Sequence, residues 1–405
     1  MANTFRGWRV NCAGTRCGVT ALIDDGGVTR TVWDLSSDLP LAGRHYPVSF
    51  GQFNEWFSTE EQSRAYLEAV RFRRGLACGR CGVLDPRRTR NGSWWCGSCR
   101  RHFSTTSGTL MDRSHLPPSQ WLAAVWLVTN TKSGISAVSL SRSLGISYTS
   151  SWHLLHKLRT AMSFAHHDQL RGEVEIDETF VGGFDEGAGS GGPQSPDTNK
   201  ITVLVATERT SSGAIGRIRM ARSYESSTLC LARFIADTVE PGATLITDGW
   251  SAYPRALEVL EPEGLNYELR QTSLTATPGH AHEHLPGVHR VASLLKRWLL
   301  GTHQGAVSAH QIDHYLSEFV FRFNRRSSEH RGLLFWRLAC ALTDSGPVRR
   351  TEITGRKAEM AHNDQELAIR IEELRIQHKR EREVLTSRAY RARKAARRAD
   401  QREAG

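Results

Sequence analysis

Apolar positions along this chain change period, and the changes mark its modules. Phe53-Asn54-Glu55-Trp56-Phe57 leads into Ser58-Thr59, which cap a helix with Ala65, Leu67, Val70 and Phe72 on its inner face. Pro117 and Pro118 precede a long apolar helix over 119–128. Residues 135–146 read as a second helix closed by Leu144-Gly145-Ile146, and Ser147-Tyr148-Thr149-Ser150 open a third with Trp152, Leu155 and Leu158 inward. That pattern fits a helix-turn-helix, and equally any two-helix hairpin. As a helix-turn-helix it turns Tyr148, Thr149, Ser150, His153 and Lys157 outward, toward a DNA groove. From about residue 172 the period falls to two: 173–181, 201–207, 215–220 and 244–248 read as strands, with a helix near 226–239 before the last. Helical spacing returns over 291–324, and 365–402 reads as a long charged helix. The chain is therefore expected to be multidomain α/β with a mixed sheet.

Residues 1–47, rich in Gly, Asp and Thr, show no sustained period and are expected to be a poorly ordered extension. A helical lead-in follows over 48–75, then a cysteine ribbon over 76–108, the helix-turn-helix region over 115–166, the α/β domain over 170–345 and a charged helical tail over 346–405.

The 405 residues carry a net charge of +11, which suits a polyanionic partner. Residues 376–405 hold ten Lys or Arg against four Asp or Glu, so the tail supplies more than half of that excess. Such a tail adds non-specific DNA affinity that falls with salt. No stretch approaches the ~20 apolar residues of a membrane helix, and the first residues lack an apolar signal core. The expectation is a cytoplasmic, nucleoid-associated protein with no membrane partner.

Four of the eight cysteines form Cys78-x2-Cys81-x14-Cys96-x2-Cys99. Two such knuckles aim four thiolates at one centre, the tetrahedral sulfur set that Zn²⁺ prefers. With all four positions filled by protein, the site is structural. Arginines crowd it, and Trp94 and Trp95 lie between the knuckles, where they either meet phosphates or pack the ribbon. Cys12 and Cys17 read as reduced thiols, and Cys230 and Cys340 as core positions.

Asp177 falls late in the first strand and Asp248 at the end of a later one, before Gly249. Carboxylates there are where an α/β domain presents chemistry, and neighbouring ones hold Mg²⁺ or Mn²⁺ through hard oxygen ligands. Aspartates at strand ends also cap turns.

In that setting the chain resembles insertion-sequence transposases of the DDE class, the group with an N-terminal zinc ribbon and a D-D-(E/N)-K signature. The resemblance rests on residues 53–57, 78–103, 175–183 (with Ile176-Asp177-Glu178-Thr179), 247–253 (with Asp248-Gly249-Trp250), 293–303 and 315–326, and spans about 50–340 in order. It implies an RNase H-like catalytic domain that cuts and joins double-stranded DNA with divalent cations, two ions of Mg²⁺ or Mn²⁺. Asp177 and Asp248 take the first two catalytic positions and Lys296 the lysine. Seven residues earlier, where the group has Glu or Asn, stands His289. Three readings stay open: an Asp-Asp-His site, a disabled enzyme, or a different third carboxylate, Glu283 or Glu318. His280, His282, His284 and His289 form either a solvated loop or a second zinc site. Arg297, Arg322, Arg325 and Arg326 are further DNA contacts under the resemblance. It also implies binding to terminal inverted repeats, strand transfer into a target, and a homodimer or higher oligomer on DNA. The alternatives are a decayed or domesticated DNA-binding regulator, and a nuclease that cuts without joining.

Overall fold

In the computed structural model the residues described are 20–23, 29–32, 35, 40–84, 86–163, 168–182, 200–223, 228–272, 284–305 and 307–354. Cys12, Cys17, His280, His282, Glu283 and the tail beyond 354 lie outside them. Within the expected extension, β1 (Thr20–Ile23) and β2 (Thr29–Val32) pair antiparallel. Further along it, His45 and Tyr46 are buried, and the Tyr66 hydroxyl donates to the His45 carbonyl at 2.7 Å. This end of the extension belongs to the core.

Ser49 caps α1 (Phe50–Trp56), and a reciprocal capping box between Thr59 and Gln62 starts α2 (Glu60–Arg71). The ribbon is a small antiparallel sheet of β3 (Arg87–Arg88), β4 (Trp94–Cys96) and β5 (Arg101–Phe103). Arg71 ties it to α2 by donating to the carbonyls of Ser104, Thr105 and Ser107.

Three helices follow: α3 (Pro118–Asn130), α4 (Ala137–Leu144) and α5 (Tyr148–Ser163). Gly145 ends α4 in the left-handed region at φ 64°, a conformation cheap only without a Cβ, and Ser147 Oγ then accepts from the Ser150 amide. A short turn over 145–147 thus joins α4 and α5.

The second module is a sheet of β6 (Glu173–Val181), β7 (Ile201–Arg209), β8 (Ile215–Ser223), β9 (Thr244–Asp248) and β10 (Glu268–Thr272). Its order is β10-β9-β6-β7-β8, with β6, β7 and β8 antiparallel and β9 parallel to both β6 and β10. Three antiparallel strands extended by two parallel ones make this an RNase H-like sheet. Period-two alternation sends Leu204 and Ala206 to one face, against α6 (Thr228–Thr238) and α7 (Ala252–Leu260). Val203 and Val205 go to the other face, against α8 (Pro286–His303) and α9 (Ile312–Phe323).

One element departs from the expected domain limits. Helix α10 (Arg331–Asp344), expected at the end of the catalytic domain, packs instead in the N-terminal helical core. There Phe335 sits among Phe53, Phe57, Tyr66 and Trp126 with ring centres 6.0–6.1 Å apart. Its apolar face complements α2, α3 and α5, a long-range match that sequence distance hides. Among the described residues, no helix is long and apolar enough to cross a membrane.

Candidate active site

Register places the two aspartates side by side. The β6–β9 pairing runs from Glu173↔Thr244 to Glu175↔Ile246 and stops, so Asp177 and Asp248 each lie two residues beyond the last pair. The strands part there and their like-charged carboxylates share the opening. Burial pushes the Asp177 carboxyl up, opposed by the Glu178 amide donating to Oδ1 at 2.9 Å; Asp248 raises it further and His289 lowers it. Asp248 Oδ1 accepts from the Trp250 amide at 3.0 Å, so this aspartate also caps its turn.

Helix α8 brings the third group. His289 Nε2 stands 3.8 Å from Asp177 Oδ2, buried and without a hydrogen-bond partner among the described residues. Lys296, two turns along the same helix, is exposed, as is its neighbour Arg297. Two hard carboxylates and an unpartnered imidazole nitrogen suit a divalent cation of the Mg²⁺ or Mn²⁺ type, with His favouring the softer Mn²⁺.

Sequence reasoning missed two residues here. Burial and the nearby Asp177 push the Glu178 carboxyl up to about 7, and Tyr253 donates to its Oε1 at 3.0 Å. The Tyr253 hydroxyl is itself buried against these acids and raised well above its ordinary range. The signal was the adjacent acidic pair Asp177-Glu178, because successive strand residues serve opposite faces and both must find partners.

The other carboxylate considered for the third position belongs elsewhere. Glu318 is buried at the junction of α9 and α5, where its Oε2 accepts from Arg159 Nε at 2.9 Å. Burial would raise this carboxyl, but Arg159, with Arg322 and His303, outweighs it and holds it low. Glu318 is therefore not a ligand beside Asp177; its charge is already matched.

The cysteines converge as expected. The sulfurs of Cys78, Cys81, Cys96 and Cys99 all lie within 4.8 Å of one another, with Cys78–Cys99 at 3.8 Å and Cys81–Cys96 at 3.6 Å. Four sulfurs ~2.3 Å from a tetrahedral centre would be about 3.8 Å apart, so the cage has the size for Zn²⁺. The backbone N–H of Cys99 lowers the Cys96 thiol to about 7. Trp94 is buried in the ribbon, while Trp95 meets His102 at a 51° tilt with ring centres 4.6 Å apart, and Arg80, Arg87, Arg88, Arg90, Arg100 and Arg101 are exposed around them.

Expected DNA contacts divide by what they touch. Tyr148 and Thr149 are exposed at the start of α5; Ser150 and His153 are half-buried. Lys157 turns inward, donating to the Leu110 carbonyl at 2.8 Å and lying over the Trp121 ring. Arg322 donates to the carbonyls of Val128, Thr131 and Lys132 and so clamps the α3–α4 turn. Arg325 lies over Phe321, and burial lowers it to about 10. Arg326 donates to Ile215 and Gly216 on the sheet edge, where Asn324 also grips both backbone groups of Ile218. The guanidiniums of Arg322 and Arg326 thus bond carbonyls of a turn and of an edge strand, which need donors, and Arg325 bonds the carbonyl of Phe321 in α9.

Comparison with known proteins gives two family matches. Residues 169–324 match the family described as the ISXO2-like transposase domain, and residues 58–102 match the transposase zinc-ribbon domain. An "Uncharacterized protein in transposable element ISH50" from Halobacterium salinarum is 26% identical over 283 residues, which cover 66% of this chain and 91% of that protein. Similar solved structures include the catalytic core domain of BIV integrase, 19% identical over 40% of this chain and 88% of that one, with a TM-score of 0.25. A pre-cleavage Mos1 transpososome is 12% identical over 59% and 83%, with a TM-score of 0.20.

Proposed function

We propose that this chain, whose residues 169–324 and 58–102 match the ISXO2-like transposase domain and the transposase zinc-ribbon domain, is the DNA transposase of an insertion sequence. In this reading it binds the element's terminal inverted repeats, cleaves at them, and joins the freed 3′-hydroxyls to target DNA. The observation that carries it is the placement of Asp177 and Asp248 where two central strands part, with His289 Nε2 3.8 Å from Asp177 Oδ2. Asp177, Asp248 and His289 would hold Mg²⁺ or Mn²⁺, which supplies Lewis-acid polarisation of a phosphodiester and a more acidic attacking hydroxyl.

The chain's own residues do the rest. Glu178, held by the Tyr253 hydroxyl, adds a third carboxyl to the charge around the aspartates. Lys296, exposed two turns from His289, meets a backbone phosphate and sets the strand over the carboxylates without reading its sequence. Zn²⁺ in the four-cysteine cage fixes the ribbon, whose exposed arginines meet DNA alongside Tyr148, Thr149 and the edge of His153. Joining two ends needs at least two protomers, so assembly on DNA is part of the proposal.

The test is cleavage and strand transfer on DNA carrying the element's own ends, in Mg²⁺ and in Mn²⁺. Joined products that vanish in Asp177→Ala and Asp248→Ala and fall in His289→Ala establish the Asp-Asp-His site. End binding without cleavage, restored by His289→Glu or His289→Asn, means a decayed enzyme. Binding with no cleavage under any substitution means a regulator, and cut but unjoined products mean a nuclease.

A further inference from the structure

We infer that Glu175 is a positioning residue, which seats the first turn of α8 on the sheet and so sets His289 beside Asp177. The inference rests on the reading of the Asp-Asp-His site above. Glu175 precedes Asp177 by two residues on the same face of β6, and its side chain is only 1% exposed. A carboxylate that deep in a sheet requires partners, and it has two. Oε2 accepts the Val288 amide at 3.0 Å, and Oε1 accepts Arg209 Nε at 2.5 Å. The Val288 amide lies in the first turn of α8, where backbone N–H groups have no partner within the helix and the helix dipole favours a negative charge.

The approach is close enough to exclude a side chain on the helix. A Cβ added to Gly287 would stand 2.9 Å from Glu175 Oε2 and 3.0 Å from Thr207 Oγ1. Glu175 and Thr207 are themselves cross-strand partners, so the turn rests on a matched pair of β6 and β7. The neighbouring residue along the helix is His289, whose Nε2 faces Asp177 Oδ2. One strand thus contributes both a candidate ligand and the anchor of the helix that carries another. A partner that orients a ligand commonly governs affinity and activity by 10–100-fold.

The experiment uses the full chain with Glu175→Ala, Glu175→Gln and Gly287→Ala, each alone and combined with His289→Ala. Mn²⁺ affinity is read by electron paramagnetic resonance, and amide exchange across 286–290 by mass spectrometry. Glu175→Ala and Gly287→Ala are expected to weaken Mn²⁺ about tenfold and to speed exchange at Val288. Glu175→Gln, which keeps an acceptor for that amide, should recover much of both. With His289→Ala already present, the same changes should cost no further affinity. Gly287→Ala disturbs the seat from the helix side, so the test survives a Glu175→Ala that does not fold. Unchanged exchange in both variants overturns the inference, as does equal loss of affinity with and without His289. Faster exchange in a chain whose wild type binds no Mn²⁺ supports the anchor while sinking the metal-site reading.

Discussion

Two clusters in this protein bring histidine and carboxylate together, and they are built on opposite principles. At the sheet opening, Asp177 and Asp248 are like charges beside a half-exposed His289. At the junction of α5 and α9, Arg159 and Glu318 are 2% and 1% exposed and neutralise each other at 2.9 Å. His156, His303 and His314 surround that pair, with Tyr315 between them and the Arg159 guanidinium 4.0 Å from its ring. The compensated cluster matches its charge where two modules meet, although Arg159 Nη2, Glu318 Oε1, both His156 nitrogens and His303 Nε2 have no hydrogen-bond partner among the described residues. The uncompensated one holds negative charge that a cation would relieve, which is the basis for the active site proposed above.

Exchanging a carboxylate for an amide should therefore act in opposite senses. Asp177→Asn is expected to reduce strand joining roughly a thousandfold or more, about 4 kcal/mol of transition-state stabilisation. It should leave the metal-free fold as stable as before or slightly more so. Glu318→Gln should instead cost about 3–5 kcal/mol of stability, because it leaves the Arg159 charge buried and unpaired. Urea titrations of the two variants beside a joining assay check both; a Glu318→Gln protein as stable as wild type would break the contrast.

Acid should separate the clusters by sign. Burial, with Arg159 nearby, lowers His156 to about 2 and His303 and His314 to about 4. Between their unfolded value near 6.5 and those values the unfolded chain binds more protons, so this cluster loses stability as pH falls, at up to about 1.4 kcal/mol per unit per histidine. Glu178 behaves conversely: with its carboxyl raised to about 7 by burial and Asp177, the folded state holds the extra proton and gains stability as pH falls from 7 toward 4.5. Stability measured from pH 7 to 5 should fall less steeply in His314→Asn and more steeply in Glu178→Gln. The smallest expected effect concerns phosphates. Lys296→Ala should lower the slope of log affinity against log salt by about 0.9, whereas Lys157→Met, whose ammonium is held by Leu110, should leave it unchanged.

Much of this was legible in advance. The CxxC pairs, the capped helices and the alternating strands are local signals, and 177, 248 and 296 stand in a recognisable order. The roles of Lys157, Arg322, Arg325 and Arg326 were not legible, because a cation on a helix looks the same whether it meets solvent or a carbonyl remote in sequence. Glu318 was misleading for the same reason: its partner Arg159 lies on another module. Glu175 carried a faint signal as a charged residue at an inward position of a buried strand.

By itself the sequence determined the modules, the cysteine cage and the candidate ligands, since these depend on periodicity and spacing within short segments. Only the tertiary structure decided that α10 returns to the first core, that β6 and β9 part beside the aspartates, and which charges are matched. Those outcomes depend on contacts between distant segments, where burial turns an ordinary charge into either a paired clamp or an unpaired site.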